Sequence, residues 1–103
     1  MRLEKKPTEC VSIEEIRAQI DLLDKEIIRL FSLRFQYVNE IMKFKTDVKS
    51  VVAQERKDQV IKIRGEWAEE AGLNKETFEQ IFHFLLDHNI SKELEMLQQR
   101  NKQ

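Results

Sequence analysis

The sequence predicts an all-α protein built from three helices: a long one, a shorter one and another long one. Gly and Pro are scarce, with two and one among 103 residues, which disfavours the frequent tight turns of a β-sandwich or barrel. Apolar residues recur at helical spacing in three stretches, and no stretch shows the alternation typical of a strand. With 41% hydrophobic residues, the chain is large enough to form one domain with its own core.

The first helix follows a polar N-terminal segment. Residues 1–10 contain the only proline and are expected to form a flexible arm, ahead of a single domain over residues 11–103. Ser12 and Glu15 have the spacing of a capping box, so a helix is predicted to begin there. No Gly or Pro interrupts it before Asp47, which predicts one helix of roughly 33 residues, about 50 Å long. Its apolar positions are Ile13, Ile16, Ile20, Leu23, Ile27, Phe31, Val38 and Ile41.

The length of this helix predicts a homodimer. A compact chain of 103 residues has a radius of gyration of about 13 Å, much less than a rod of about 50 Å. The far half of the helix therefore needs another apolar partner. Two copies of the helix lying side by side would supply it and would also account for the near-heptad spacing of the apolar residues.

Two further helices are predicted after the linker TDVKSVV. The second runs from about Ala53 to Ala71 and is closed by Gly72. Asn74 is a suitable N-cap for the third. The residues expected to face the core from these helices are Val60, Ile63, Trp67, Ala71, Phe82, Leu86, Ile90 and Leu97.

Several polar residues interrupt the apolar stripes. If residues 27–45 form one helix, Arg34 and Lys45 lie within roughly 20° of each other inside the stripe. On the last helix Glu93 falls between Leu86 and Leu97, about 20° from the former. Asn89 lies on the same face of that helix and Arg17 at the edge of the first stripe.

Two interpretations of these inward residues remain open. A single Arg or Lys can extend its alkyl stem over apolar surface, and Glu93 could form a buried ion pair with Lys45 or Arg34. Taken together, however, three cations and one acidic residue leave excess positive charge facing a cavity. Because Arg binds carboxylates through its planar fork, this set favours a small dicarboxylate ligand. Phosphate is the competing anion, but the chain has no glycine-rich loop to bind it.

Charge and composition disfavour other classes of function. The formal net charge of −1 gives no support to nucleic-acid or membrane-surface binding. Cys10 is the only cysteine and no apolar run is long enough to span a membrane, so a reducing compartment, the cytoplasm, is expected. His83 and His88 are five residues apart, so their side chains diverge on a helix and no metal site is expected. No cofactor is expected either.

The sequence resembles the all-helical chorismate mutases, and in particular their branch of isochorismate-pyruvate lyases of salicylate and siderophore synthesis. The resemblance covers nearly the whole chain, from PTEC through AQERKDQVI and EEAGL to LLDHNISKEL. Its most specific part is the motif IRxxIDxxDxxIxxLxxxR, followed eleven residues later by Lys45.

The resemblance implies an intertwined homodimer of three-helix subunits with two equivalent sites. Arg17 would enter the site from the partner subunit, while Arg34 would bind a carboxylate from the same subunit. Lys45 would bind the ether oxygen and a carboxylate, and Glu93 would contact the ether oxygen from the other side. The remaining positions that match substrate-binding residues are Gln54, Glu55 and Asn89.

The reaction implied by the resemblance is the rearrangement of chorismate to prephenate. In well-studied mutases an arginine precedes the Glu55 position, whereas this chain has Gln54, and its interhelix loop is shorter. Both features resemble the lyase branch, which eliminates pyruvate from isochorismate to give salicylate. A non-catalytic helical dimer that binds a small dicarboxylate is the alternative from a different class.

Overall fold

The computed structural model describes residues 5–102. Over that range the chain forms helices, 3-10 turns and loops, and no β-strand. Its helices are α1 (Ile13–Ile41), α2 (Val48–Val52), α3 (Gln54–Glu70) and α4 (Lys75–Asn101). The predicted all-α fold with a long, a shorter and a long helix is confirmed, with the one-turn α2 added between the first two. The chain divides into two compact units, one up to Val38 and one from Asn39 onward.

The described part of the N-terminal arm contains a short 3-10 turn, Pro7–Glu9. Lys5 forms an ion pair with Glu15 of α1, with 2.9 Å between Nζ and Oε1. Residues 1–4 of the predicted flexible arm lie outside the described residues. The arm and the single domain after it therefore stay predictions.

Helix α1 begins where the capping-box spacing placed it. The backbone N–H of Glu15 donates a hydrogen bond to Ser12 Oγ at 3.2 Å. The Glu15 carboxylate accepts from the backbone N–H of Val11 at 2.8 Å, one residue before the position expected for a capping box. These bonds satisfy two N–H groups at a helix start that otherwise lack partners.

The predicted end of the first helix, near residue 46, is wrong. α1 ends at Ile41 and is followed by a 3-10 turn, Met42–Phe44, after which Lys45 is extended with φ −105° and ψ 127°. The tighter turn places the Met42 side chain in a core cluster with Val51 and Leu97, where it is 3% exposed. The change from α-helix to 3-10 turn and extended backbone buries Met42 and takes Lys45 off the helical stripe, so the predicted placement of Lys45 was also wrong.

The apolar stripe of α1 is left largely uncovered within one chain. Among the 29 residues of α1, all of them described, none is buried. Large apolar side chains along its whole length are exposed, including Ile16, Ile20, Ile27, Phe31 and Ile41. Helix α1 therefore carries a large apolar surface that the described residues leave exposed.

The stretch predicted as a linker contains α2. Asp47 caps this helix, because its carboxylate accepts from the backbone N–H of Ser50 at 2.8 Å. That hydrogen bond holds the pKa of Asp47 below its ordinary value. The helix ends at Val52, and the next residue, Ala53, adopts a left-handed conformation with φ 43° and separates α2 from α3.

The predicted boundaries between α3 and α4 are confirmed. Gly72 has φ 80°, and the N–H of Leu73 donates to the Ala68 carbonyl at 2.8 Å, which closes α3 with a Schellman motif. Asn74 Oδ1 accepts from the backbone N–H of Thr77 at 2.8 Å and caps α4 as predicted.

Helix α3 packs against α4 through small residues, so the prediction of a core position for Trp67 is wrong. The buried residues of α3 are Val60, Gly65 and Ala68. A Cβ at Gly65 would lie 2.7 Å from Cγ of Glu79 on α4, so glycine permits the close approach of the two helices. Trp67 is rotated by about 100° from Ala68, is 55% exposed, and lies beneath the Arg64 guanidinium at 4.5 Å.

In the described part of the chain, none of the helices combines the length and apolar character needed to cross a membrane.

Candidate functional site

A largely buried ion pair forms the centre of the candidate site. Lys45 Nζ lies 3.2 Å from Glu93 Oε2, with side-chain exposures of 20% and 7%. Glu93 lies in the C-terminal half of α4, and Lys45 is the extended residue after the 3-10 turn that follows α1. Lys45 is one of the two cations predicted as partners for Glu93, and the structure shows this pair. Burial lowers the effective dielectric around this pair and strengthens its electrostatic interactions.

Helix α2 supplies a second contact to the same ammonium group. Lys45 Nζ donates to the backbone carbonyl of Val51 at 3.3 Å. The Val51 side chain is 1% exposed and packs with Met42 and Leu97, which fixes that carbonyl in place. A lysine ammonium has three N–H donors, and within the described residues two are engaged, by Val51 and Glu93. The third can donate to an oxygen of a ligand.

Asn89 lies one helical turn before Glu93 on α4. Asn89 is 5% exposed, and it lies on the face of α4 that also carries Glu93. An amide supplies both donors and an acceptor. The structure therefore brings Lys45 and Glu93 into contact and places Asn89 one turn from Glu93 on the same face of α4.

Gln54 and Glu55 lie in the first turn of α3. Both are exposed, and Gln54 Nε2 donates to Asp58 Oδ1 at 2.8 Å. They line a surface groove at the α2–α3 junction together with Ser50 and Arg56. Glu55 is thus accessible to a ligand, as the resemblance implies, but its role there stays a prediction.

The two predicted carboxylate-binding arginines lie on α1, in the unit that ends at Val38. Arg17 is exposed, and Arg34 is partly buried. Their participation in the same site as Lys45 stays a prediction, and it depends on the arrangement of the two units and of a second copy.

The sequence interpretation missed two groups that contact Lys45. One is the Val51 carbonyl, because the sequence predicts a linker for the stretch that contains Val51. The other is Arg100, whose guanidinium donates to the carbonyls of Met42 at 3.0 Å and Lys45 at 2.6 Å. In the sequence, Arg100 is recognisable only as a basic residue in the last turn of α4. Basic residues are also common at the C-terminal ends of unrelated helices.

The site can bind an anionic ligand through a cation that is oriented and partly shielded from water. Lys45 offers one N–H donor, and Asn89 offers an amide. Glu93 accepts hydrogen bonds when ionised and can donate one only when protonated. The Lys45 ammonium group, and Glu93 when it is protonated, can stabilise negative charge that develops on a ligand oxygen.

The fold and the site together define an all-helical protein with a largely buried lysine–glutamate pair. A profile of the family "chorismate mutase type II" matches residues 16–96. The isochorismate pyruvate lyase of Pseudomonas aeruginosa is 30% identical over 95 residues, covering 92% of this chain and 94% of that protein. The chain therefore belongs to the chorismate mutase type II family.

A second relative is the T-protein of Haemophilus influenzae. It is 28% identical to this chain over 83 residues, which cover 80% of the chain. The chain spans only 22% of that relative's length.

Proposed function

We propose that the chain is an enzyme that rearranges chorismate to prephenate. The observation that carries this proposal is the buried pair of Lys45 and Glu93, held 3.2 Å apart in a chain of the chorismate mutase type II family. In the reaction the ether C–O bond of chorismate breaks while a new C–C bond forms. No nucleophile is needed, and the protein contributes by holding the substrate in a compact shape and stabilising charge.

Lys45 donates its third N–H to the ether oxygen, where negative charge develops in the transition state. Because Val51 and Glu93 already orient the ammonium, little reorganisation accompanies the reaction. Glu93, when protonated, donates a second hydrogen bond to the same oxygen. Asn89 lies one turn away and contacts a polar group of the ring.

The two arginines bind the two carboxylates of the substrate. Guanidinium groups suit this role because they form two parallel hydrogen bonds with one carboxylate. Arg34 acts in the site of its own chain, and Arg17 reaches the site of the partner chain. Gln54 and Glu55 line the groove at the start of α3. They contact the part of the substrate that carries its hydroxyl group.

A homodimer completes each site in this proposal. It is supported by α1, whose 29 residues are all described and include no buried one, although its stripe is apolar. A second copy of α1 would cover this surface and bring Arg17 to the neighbouring site. The dimer should have a solution mass of about 25 kDa, from two chains of 12.4 kDa each.

A second candidate reaction is the elimination of pyruvate from isochorismate to give salicylate. It is favoured by the similarity to the isochorismate pyruvate lyase of Pseudomonas aeruginosa, which extends over 94% of that protein. Gln54 and the short loop before it also match this branch, as noted above. Isochorismate carries the same charges as chorismate and is likewise cleaved at an ether oxygen, so the same cationic groups would act on it.

Incubating the purified protein with each substrate separately tests both candidates. Prephenate from chorismate supports the first reaction, and the fluorescence of salicylate together with pyruvate from isochorismate supports the second. If neither product forms above the uncatalysed rate, both reactions are refuted. Thermal stabilisation by a dicarboxylate transition-state mimic, without turnover, would then identify a non-catalytic binding dimer.

A further inference from the structure

We propose that Arg100 is a positioning residue that fixes the backbone of Lys45 and thereby aims its ammonium group at the ligand. This inference rests on the proposed function, because it assigns Arg100 a part in the same site. Arg100 lies outside residues 16–96, the part of the chain that the family profile matches. Its role is inferred from contacts in the structure.

The contacts of Arg100 join two carbonyl groups of the segment that carries Lys45. Nη1 donates to the carbonyl of Met42 at 3.0 Å, and Nη2 donates to the carbonyl of Lys45 itself at 2.6 Å. The Met42 carbonyl also accepts from the backbone N–H of Lys45 at 3.3 Å. A planar guanidinium with two separate donors can hold both carbonyls at once, which a single lysine ammonium does less rigidly.

Both carbonyls lie in the turn that ends the helical segment. The last carbonyls of a helix have no N–H partner within it and carry partial negative charge. In this chain the region between Ile41 and Lys45 changes from α-helix to 3-10 turn to extended backbone within a few residues. The positive charge of Arg100 stabilises the turn that this change requires.

Helix α4 thus contacts both the side chain and the backbone of Lys45. Glu93 contacts the ammonium group, and Arg100, two helical turns or about 10 Å further along α4, contacts the backbone. Between them, Leu97 packs against Met42 in the core cluster. Since a lysine side chain is long and flexible, fixing only its ammonium group would leave the backbone free to shift, and catalysis is sensitive to displacements of about 1 Å.

A purely stabilising role for Arg100 makes a different prediction. In that case its loss would lower the melting temperature, but the folded protein would retain the turnover rate of the original chain. A positioning role predicts a loss of turnover in protein that is still fully folded. The two can be separated at a temperature well below the melting transition.

Hydrogen exchange measures the proposed constraint directly. We expect Arg100→Met to increase the exchange of backbone amides in residues 42–46, including the Lys45 N–H, while amides within α3 stay protected. Arg100→Lys, which keeps the charge and one donor, should give an intermediate increase. Lys102→Met, which removes a nearby exposed cation, is the matched control and should leave these amides unchanged. Equal exchange of residues 42–46 in Arg100→Met and the original protein would overturn the proposal.

Steady-state kinetics test the consequence for the site. We expect Arg100→Met to lower kcat by about 10- to 100-fold with a smaller change in KM, because Lys45 acts mainly on charge in the transition state. Arg100→Lys should recover part of kcat, and Lys102→Met should behave like the original chain. An unchanged kcat in folded Arg100→Met would refute the positioning role.

The failure of this inference can be distinguished from failure of the proposed function. If the original protein converts neither chorismate nor isochorismate, the proposed function fails, and the exchange of residues 42–46 still decides whether Arg100 constrains Lys45. If the original protein is active and Arg100→Met is equally active, the proposed function stands and the inference fails.

Discussion

Lys45 Nζ lies 3.2 Å from Glu93 Oε2, although the two residues are 48 positions apart in the sequence. Lys45 is an extended residue after a 3-10 turn, and Glu93 lies in the C-terminal half of a long helix. Glu93 is buried and Lys45 is partly buried, so removing either partner leaves the other in an environment unfavourable for an isolated charge. Variants at these positions therefore require a check of folding beside each measurement of activity.

Replacing Lys45 by alanine should remove most of the catalytic effect. We expect kcat/KM to fall by about 10²- to 10³-fold, the usual loss when one donor to a developing oxyanion is removed. Lys43→Ala is the matched control, because Lys43 forms only an exposed ion pair with Glu40. Circular dichroism shows whether each variant is folded, and full activity of folded Lys45→Ala on both substrates would reject the site.

Glu93→Gln should change the pH dependence of the reaction. Because a carboxyl group donates a hydrogen bond only when protonated, we expect the activity of the original chain to rise toward acidic pH. An amide donates at every pH, so Glu93→Gln should flatten the profile. Glu95→Gln, at an exposed position on the same helix, is the control. A profile identical to that of the original protein would remove Glu93 from the mechanism.

Mixed dimers test whether Arg17 acts across the interface. We expect Arg17→Met and Lys45→Met each to be nearly inactive, because each lacks one part of both sites. If equal amounts are unfolded together and refolded, half of the dimers contain one intact site, which restores about a quarter of the original activity. Absence of any recovery, despite a dimeric mass, would show that Arg17 and Lys45 do not share a site in this way.

The ion pair between α3 and α4 should make stability depend on pH. Lys57 Nζ lies 2.5 Å from Asp87 Oδ1, and this hydrogen bond holds the pKa of Asp87 below its ordinary value. The charged Asp87 therefore stabilises the fold above the unfolded pKa of about 3.9, and this contribution is lost as the pH falls through the lower folded value. The Asp87→Asn variant should have a lower melting temperature than the original chain at pH 7. In acid the two melting temperatures should converge.

The control for this prediction is Asp24→Asn, at an exposed position on α1. Melting temperatures measured from pH 7 down to about pH 2.5 cover the range in which an aspartate with a lowered pKa titrates. If the difference in melting temperature between Asp87→Asn and the original chain stayed constant over this range, the stabilising role of charged Asp87 would be contradicted.

The N-cap of α4 should contribute measurably to stability. Asn74→Ala removes the side-chain oxygen that accepts from the Thr77 N–H at 2.8 Å, and we expect a loss of about 1 kcal/mol in the free energy of unfolding. Asn74→Asp retains an oxygen acceptor at a helix N-terminus and should retain most of that stability. Urea denaturation measures both, and equal destabilisation by the two variants would argue against the cap.

The helices were largely predictable from local signals. Ser12, Gly72 and Asn74 mark boundaries through hydrogen bonds to their own neighbours, so their effect is visible within a few residues of sequence. Glu93 and Asn89 could be placed on the inner face of α4 because an undisturbed helix has a constant angular step. These features depend on local geometry and needed no knowledge of the fold.

The sequence by itself determined the all-α fold, the three main helices and the family to which the chain belongs. Only the tertiary structure decided that α1 stops at Ile41, that Lys45 reaches Glu93 from an extended residue, and that Val51 and Arg100 hold it there. The physical reason is that these features depend on the burial of Met42 and on hydrogen bonds between distant residues. Such contacts can override helical periodicity, and they exist only once the chain has folded.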